Sequence, residues 1–307
     1  MRLANLTLDT SVLPHEIFAG SPYQTTSLGL EIPKKTKDEL REFLERYLKE
    51  AGIENDDGVF FRVDLYPDPE KEDVFWIIEV NALFVDGWGI GLNLARATGS
   101  PVEINGLGDR FPETWTTEDR AYLPELQLAC DELRIATGRQ FSFEPSFNCR
   151  ISQAPAYWYG RQRPHEKLRP WHGETLDDKI VLVRLASTWR GERIRIPQSF
   201  SVETTPWDQL PDRSGLVFKL RRKWENPRMS VRFGDEIGKG KDVRRGYTDG
   251  GVIAQTRIPQ ATTNDGQPVQ AIIMTAGTTP VSGYVQIARP GVKIINDNSL
   301  HGPLILV

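Results

Sequence analysis

The sequence predicts an α+β fold of mixed or antiparallel sheets with flanking helices, and its length suits either one large domain or two lobes. Apolar residues at helical spacing over 36–51 and 117–137 predict two helices. Alternation with a period of two over 59–81 predicts a pair of strands, and short apolar segments over 251–307 predict an antiparallel set. The segment 139–174 is rich in proline and aromatic residues, which suits a connection between lobes or the wall of a substrate cleft.

Composition is that of a soluble globular protein. The chain has 307 residues, of which 39% are hydrophobic and 26% charged, with a formal net charge of −4 at pH 7. This charge gives no support to a nucleic-acid or anionic-membrane partner, and no run of about 18 apolar residues predicts a membrane-spanning helix. The two cysteines, Cys130 and Cys149, lack the spacing of a zinc site. We therefore expect a cytoplasmic protein without nucleic-acid or membrane partners.

The two predicted helices have recognisable ends. Thr36 and Glu39 have the spacing of a capping box at the start of the first helix, and Gly52 suits its end. Gly138 suits the end of the second helix in the same way. Cys130 lies on the apolar stripe of that helix, where a small core residue is the simplest interpretation.

Two further segments precede the C-terminal strands. Over 175–191, Thr175 and Asp178 resemble a capping box, but the β-branched cluster that follows fits a strand as well as a helix. The segment 214–220 alternates as a strand and places Lys219 on the face opposite its larger apolar residues. A lysine at such a position either extends to solvent or binds phosphate.

The strand pair over 59–81 carries the residues with the clearest chemical meaning. Arg62 and Asp64 share one face of the first strand, and Glu79 and Asn81 share one face of the second. If the two strands form a hairpin, these four side chains can converge on one side of a sheet. Mg²⁺ that carries phosphates prefers such oxygen ligands. The alternation alone leaves an enzyme, a calcium-binding module and chance surface charges all open.

A glycine-rich turn follows this strand pair. Gly87, Gly89 and Gly91 precede a predicted helix that ends near Gly99. A dinucleotide-binding fingerprint needs its third glycine at the position of Leu92, so that interpretation is weak. Close approach of the backbone to a phosphate or substrate, or simple turn geometry, explains the glycines better.

Several blocks of the chain resemble, in their order and spacing, the ATP-grasp ligases of the glutathionylspermidine synthase type. The blocks are Arg62-Val63-Asp64 with Glu79-Val80-Asn81-Ala82, Pro170-Trp171-His172 with Asp178-Lys179 and Leu182, Val217-Phe218-Lys219-Leu220, Gln255-Thr256-Arg257-Ile258-Pro259, and the ending 283–298, in which Arg289 is nearest the family arginine. The blocks extend over residues 59–307.

This resemblance implies a rearranged ATP-grasp fold in which the metal-binding strands precede the lysine-bearing lobe. Residues 1–174 would contain the metal-binding strand pair and helices. Residues 175–250 would form the smaller ATP-binding lobe, and residues 251–307 would supply strands that complete the core.

The resemblance also implies roles for the strand pair. Asp64, Glu79 and Asn81 would hold Mg²⁺ on the phosphates of ATP. Arg62 would be catalytic, because it would stabilise charge on the transferring phosphoryl group. These roles follow from the family pattern and add to what the alternation of the strands indicates.

The remaining roles fall on the second half of the chain. Lys179 and Lys219 would bind ATP phosphates from the smaller lobe. The backbone around Gln255, Thr256 and Arg257 would read the adenine. Arg289 would lie at the carboxylate of the substrate.

Together these features predict an ATP- and Mg²⁺-dependent carboxylate–amine ligase that forms an acyl phosphate on a small carboxylate. The alternatives are a nucleotide-binding relative that does not ligate and a non-enzymatic α+β binding protein. The chain departs from the family over 83–91, which lacks the family serine, so we expect the acid to differ from glutathione. It also has a bulkier and more basic phosphate loop after residue 220, where Arg228 or Arg232 could supply charge.

Overall fold

The structure, a computed structural model, describes most of the chain. The described residues are 3–100, 102, 104, 106–117, 119–145, 156–159, 168–169, 172–222, 231–234, 241–292, 295 and 299–307. The predictions for Cys149, for Pro170-Trp171, for Arg228 and for residues 296–298 of the block 283–298 fall outside the described residues.

Strands and helices alternate irregularly along the described chain. The strands are β1 Leu3–Asn5, β2 Glu16–Phe18, β3 Ser21–Pro22, β4 Leu28–Ile32, β5 Phe60–Pro67, β6 Phe75–Asn81, β7 Thr114–Thr117, β8 Ser142–Pro145, β9 Ala156–Tyr159, β10 Leu168–Arg169, β11 Ile194–Arg195, β12 Ser199–Phe200, β13 Leu216–Leu220, β14 Val231–Phe233, β15 Val252–Thr256, β16 Val269–Ala276, β17 Thr279–Ile287 and β18 Leu300–Leu306. The helices are α1 Lys34–Glu50, α2 Trp88–Ala97, α3 Leu123–Thr137, α4 Gly173–Leu176, α5 Ile180–Thr188 and α6 Lys241–Thr248.

A mixed sheet of eight strands forms the centre of the molecule, in the order β1-β4-β18-β17-β16-β5-β6-β11. The pairs β4–β18 and β6–β11 are parallel, and the other neighbours are antiparallel. One face of this sheet packs apolar side chains such as Val63 and Leu65 against α1 and α5. The α+β class with a mixed sheet is therefore confirmed.

The strand pair predicted over 59–81 is confirmed as the hairpin β5–β6. Arg62 lies opposite Asn81, and Asp64 lies opposite Glu79. Residues directly opposite each other in a ladder point to the same face. All four polar side chains therefore share the face opposite Val63, away from α1 and α5.

The capping box predicted for the first helix is wrong. Helix α1 begins at Lys34 with Pro33 as its N-cap residue, so Thr36 already lies in the first turn. The Thr36 hydroxyl donates to the Asp73 carbonyl at 3.1 Å, and the Glu39 carboxylate accepts from the backbone N–H of Arg193 at 3.0 Å. Both side chains therefore form hydrogen bonds with residues distant in the sequence instead of capping the helix. The helix end is as predicted, since Gly52 has φ +75°.

The second helix begins later than predicted. Helix α3 starts at Leu123 instead of near residue 117, and residues 114–117 form β7. β7 is an inner strand of a parallel sheet with the order β10-β9-β7-β8. Trp115 of β7 stacks on Tyr157 of β9 with ring centroids 4.0 Å apart, and threonine and tryptophan suit such a strand. Cys130 is buried on α3, as predicted.

The segment 175–191, for which the sequence fits a strand as well as a helix, is mostly helical, because α4 ends at Leu176 and α5 extends over Ile180–Thr188. Asp178 does not form the capping box predicted with Thr175. Its carboxylate accepts from the backbone N–H of Ile180 at 3.1 Å and from Nε of Arg221 at 2.7 Å. Asp178 therefore links the start of α5 to the end of β13.

A smaller antiparallel sheet with the order β12-β15-β13-β14 packs against α6. Its core includes Phe200, Phe218 and Tyr247. β15 was expected among the strands of 251–307 that complete the central core, but it pairs with β13 in the smaller sheet. The segment 194–200 is divided between the sheets, because β11 joins the central sheet and β12 joins the smaller one. None of the helices in the described part of the chain is long and apolar enough to cross a membrane.

Candidate functional site

Arg62 is held by carboxylates on two sides. Its Nε and one terminal nitrogen donate to the two oxygens of Asp64 at 3.0 and 3.1 Å, and its other terminal nitrogen donates to Asp86 at 2.5 Å. Burial lowers the pKa of Arg62, but Asp64 and Asp86 raise it further, so the net shift is upward and Arg62 stays charged. Asp86 is not among the residues that the sequence patterns predict for the site. The signal was present, since an aspartate directly before the glycine-rich turn follows the hairpin closely.

Lys179 reaches the same face from the start of α5. Its Nζ lies 3.0 Å from Oε1 of Glu79, in an ion pair that lacks the alignment of a good hydrogen bond. Burial lowers the pKa of Lys179, but Glu79 and Asp177 raise it to a net value above the ordinary one. Asp177 in turn accepts from the backbone N–H of Ala82 at 3.0 Å, which ties α4 to the end of β6.

Lys219 reaches the hairpin from the smaller sheet. Its Nζ donates to the carbonyl of Ile78 at 2.6 Å and to Oε1 of Gln255 at 2.9 Å. The Gln255 amide also donates to the hydroxyl of Ser199 at 3.2 Å. Both Lys219 and Gln255 are buried. The structure therefore brings the two predicted lysines to consecutive residues of β6, Ile78 and Glu79.

The residues predicted to read adenine lie at the end of β15. The backbone N–H of Thr256 donates to the carbonyl of Gln198, and that of Arg257 donates to the carbonyl of Gly215, each at 2.8 Å. The guanidinium of Arg257 lies 4.9 Å from the ring centre of Phe233. Both backbone donors thus already have protein acceptors, and the prediction that this segment binds adenine stays a prediction.

Arg289 lies beyond the end of β17. The register places Tyr284 of β17 level with Asp64 of β5, through Ile272 between them. Arg289 follows Tyr284 by five residues and lies two residues beyond the end of β17 at Ile287, so the register does not align it with Asp64. Arg232 is one of the two arginines that could supply charge in the phosphate loop. Its guanidinium donates to the carbonyl of the neighbouring Val231 at 3.1 Å.

The donor set on the hairpin fits part of a magnesium site. Across the stretches that the structure describes, no three histidine, cysteine, aspartate or glutamate side chains gather as a complete metal site. Asp64, Glu79 and Asn81 nevertheless offer oxygens on one face, and Nδ2 of Asn81 is buried without a hydrogen-bond partner. Mg²⁺ is usually held by only one or two carboxylates, with waters and substrate phosphates as further ligands.

Charge supports the same interpretation. Three cations meet four carboxylates here, so the group carries one net negative charge; its members are Arg62, Lys179 and Lys219 with Asp64, Asp86, Glu79 and Asp177. A phosphate alone would be repelled by that charge. A divalent cation together with phosphates would not. The residues therefore fit Mg²⁺ that arrives with a phosphorylated ligand.

The glycines after the hairpin serve packing between protein elements. Gly87 has φ +97°, and a Cβ there would lie 2.6 Å from the Tyr284 hydroxyl. A Cβ at Gly89 would lie 2.7 Å from backbone atoms of α3, and one at Gly91 would lie 3.0 Å from the Ser282 hydroxyl of β17. These contacts favour close helix packing over the dinucleotide-binding interpretation.

Two surface cavities lie away from this cluster. One of about 530 Å³ lies beside α1 and the end of α5, and one of about 450 Å³ lies beside β4 and the loop between β5 and β6. Neither is lined by a predicted site residue. The grouping of charged side chains on the hairpin, rather than cavity size, marks the candidate site.

No protein-family model matches the chain, and no curated protein matches it. Solved structures similar to it include a glutathione synthetase-like effector from Globodera pallida in its apo form, with 12% identity, a TM-score of 0.47, and coverage of 89% of this chain and 83% of that chain. Another is a provisionally assigned gamma-glutamylcysteine synthetase from Methylobacillus flagellatus, with 9% identity, a TM-score of 0.49, and coverage of 88% of this chain and 82% of that chain. At these values nothing about the chemistry of this chain follows from either neighbour.

Proposed function

We propose that this protein is an ATP-dependent ligase that joins a small carboxylate to an amine through an acyl phosphate. The observation that carries the proposal is the meeting of two buried lysines with the β5–β6 hairpin. Lys219 contacts the carbonyl of Ile78, and Lys179 contacts the carboxylate of Glu79. Phosphate oxygens that replaced these two acceptors would lie between two cations and the face that bears Asp64.

The chemistry needs such an arrangement because an unactivated carboxylate does not form an amide readily. Transfer of the γ-phosphoryl group to the acid creates a good leaving group, which the amine then displaces. Lys179 and Lys219 bind the phosphate oxygens, and Arg62 stabilises the charge that develops on the transferring group. Much of the rate acceleration of the second step comes from holding the amine beside the acyl phosphate.

Mg²⁺ belongs to the proposal as a companion of ATP. Asp64, Glu79 and Asn81 are the residues that would hold it, and when bound it supplies positive charge to the phosphate oxygens. The pairing of Asp64 with Arg62 and of Glu79 with Lys179 balances these carboxylates in the absence of the nucleotide.

Residues outside the cluster around Arg62 would contact the two ends of the substrates. Gln255, Thr256 and Arg257 are the proposed contact for adenine, beside the lysine that Gln255 orients. Arg289 is the proposed contact for a remote carboxylate.

Calorimetric titration with MgATP tests the nucleotide part of the proposal. We expect wild-type protein to bind, and Lys219→Met and Asp64→Asn each to weaken binding by about tenfold or more, because each removes a charge-assisted contact. Lys49→Met changes an exposed lysine on α1 and serves as the control. Wild-type protein that binds no MgATP would refute the proposal.

Trapping with hydroxylamine tests the ligase part. A panel of small carboxylates is incubated with MgATP and hydroxylamine, and hydroxamate and ADP are measured together. Equal amounts of both products are expected from the true acid, because hydroxylamine displaces phosphate from an acyl phosphate. Nucleotide binding without either product, across the panel, would instead favour a relative that does not ligate.

A further inference from the structure

Asp86 lies in the turn between β6 and α2 and is almost fully buried, at 8% exposure. Its carboxylate accepts from a terminal nitrogen of Arg62 at 2.5 Å, while Asp64 accepts from Nε and the other terminal nitrogen. These bonds use three of the five N–H groups of the guanidinium, so at most two remain for a ligand.

The turn that carries Asp86 is fixed by its neighbours. Gly87 adopts φ +97°, and the space beside it is filled by the ring of Tyr284. Two residues later, the backbone N–H of Gly89 donates to the buried carboxylate of Glu125 on α3 at 2.7 Å. The start of α2 is thus anchored to both β17 and α3, and Asp86 cannot follow Arg62 if the arginine moves.

Neutralisation of Arg62 does not explain a second carboxylate. Asp64 alone balances its charge, and Asp86 leaves the trio with a net negative charge. The two carboxylates differ in their surroundings. Asp64 lies on the hairpin beside Glu79 and Asn81, among the residues that would hold Mg²⁺, whereas Asp86 lies on the turn. An Asp64 that shares its oxygens with a cation holds Arg62 less strongly.

We infer that Asp86 is a positioning residue that holds Arg62 toward the γ-phosphate of ATP when a cation engages Asp64. The inference rests on the proposed function. The hydrogen bond from Arg62 to Asp86 keeps the guanidinium in place and leaves its remaining N–H groups for the phosphoryl oxygens. Asp86 itself does not touch the nucleotide.

The test compares the affinities of MgATP and MgADP by calorimetry in the full chain. Because only ATP presents a γ-phosphate, we expect Asp86→Ala to lower the ratio of ATP to ADP affinity by about tenfold, the scale of one charge-assisted hydrogen bond, with ADP affinity unchanged. Asp86→Asn keeps an oxygen acceptor of the same reach, so we expect it to retain most of the ratio. Asp56→Ala, which removes a different aspartate–arginine pair of 2.8 Å with Arg110, is the control.

The outcomes separate this inference from the proposed function. Wild-type protein that binds neither nucleotide overturns both. Wild-type binding with an unchanged ratio in Asp86→Ala, an equal loss of ATP and ADP affinity, or a loss in Asp86→Asn as large as in Asp86→Ala overturns the inference alone. If circular dichroism shows that Asp86→Ala does not fold, Asp86→Ser replaces it, because the serine hydroxyl is too short to reach Arg62. The outcomes stated for Asp86→Ala then apply to Asp86→Ser.

Discussion

Substitutions in the ion pair between Lys179 and Glu79 test how much this buried pair of the candidate site contributes to the free energy of unfolding. The side chain of Lys179 is 5% exposed and that of Glu79 is 17% exposed. Removing one member of a buried pair leaves the other charge without compensation, which costs about 3–5 kcal/mol. Glu79 retains some contact with solvent, so for Lys179→Met we expect the lower end of that range, about 3 kcal/mol.

The reverse change should cost less. In Glu79→Gln, Lys179 still has Asp177 and Asp178 nearby, which both raise its pKa. We therefore expect a loss of about 1.5 kcal/mol, below the roughly 3–5 kcal/mol of a buried charge left without compensation. The double variant leaves neither charge of the pair, so its cost should fall short of the sum of the two by about 2 kcal/mol.

Urea denaturation at neutral pH measures these free energies of unfolding. Arg41→Met provides the matched control, because its pair with Asp38 spans a similar 2.9 Å but both side chains are nearly half exposed, at 48% and 44%. Exposed pairs contribute about 0–1 kcal/mol. If Lys179→Met cost no more than Arg41→Met, or if the two site changes were additive, the assignment of a buried, coupled pair would be refuted.

Two further expectations concern the face around Arg62. Gly87→Ala should lower the free energy of unfolding in urea by about 2–3 kcal/mol, because it adds strain at φ +97° to a clash with Tyr284. Gly99→Ala is the control for the backbone strain alone, because Gly99 has φ +67° and open space beside it. Equal losses in the two variants would contradict the clash. Burial lowers the pKa of His301 to about 4, so the unfolded chain takes up this proton first and stability falls as pH drops from about 6.5 toward 4. Between pH 7 and pH 5 we expect a loss of about 2 kcal/mol that His301→Gln lacks; equal pH slopes for the two proteins would contradict it.

Much of the local structure could be predicted from the sequence. The hairpin β5–β6 follows from alternation, because a period of two directs side chains to opposite faces whatever the neighbours are. The ends of α1 and α3 follow from Gly52 and Gly138, because glycine adopts positive φ without strain. The starts of these helices could not be predicted as well, since Thr36 and Glu39 found tertiary partners that outweighed local capping.

The small strands could not be predicted for a related reason. β7 and β9 are four residues each, too short for alternation to show, and the stacking of Trp115 on Tyr157 forms only when distant segments meet. The residues of β15 predict a strand, but they do not indicate which sheet it joins. Its partner β13 was decided by the packing of Phe218 and Tyr247 beneath the smaller sheet.

The candidate site divides in the same way. The sequence by itself determined that Arg62, Asp64, Glu79 and Asn81 share a face, because they are close along two adjacent strands. Only the tertiary structure decided what meets that face. The lysines come from α5 and β13, far along the chain, and Asp86 comes from a turn whose direction depends on the packing of α2. Such contacts depend on how whole elements pack together, and no local pattern of residues specifies that packing.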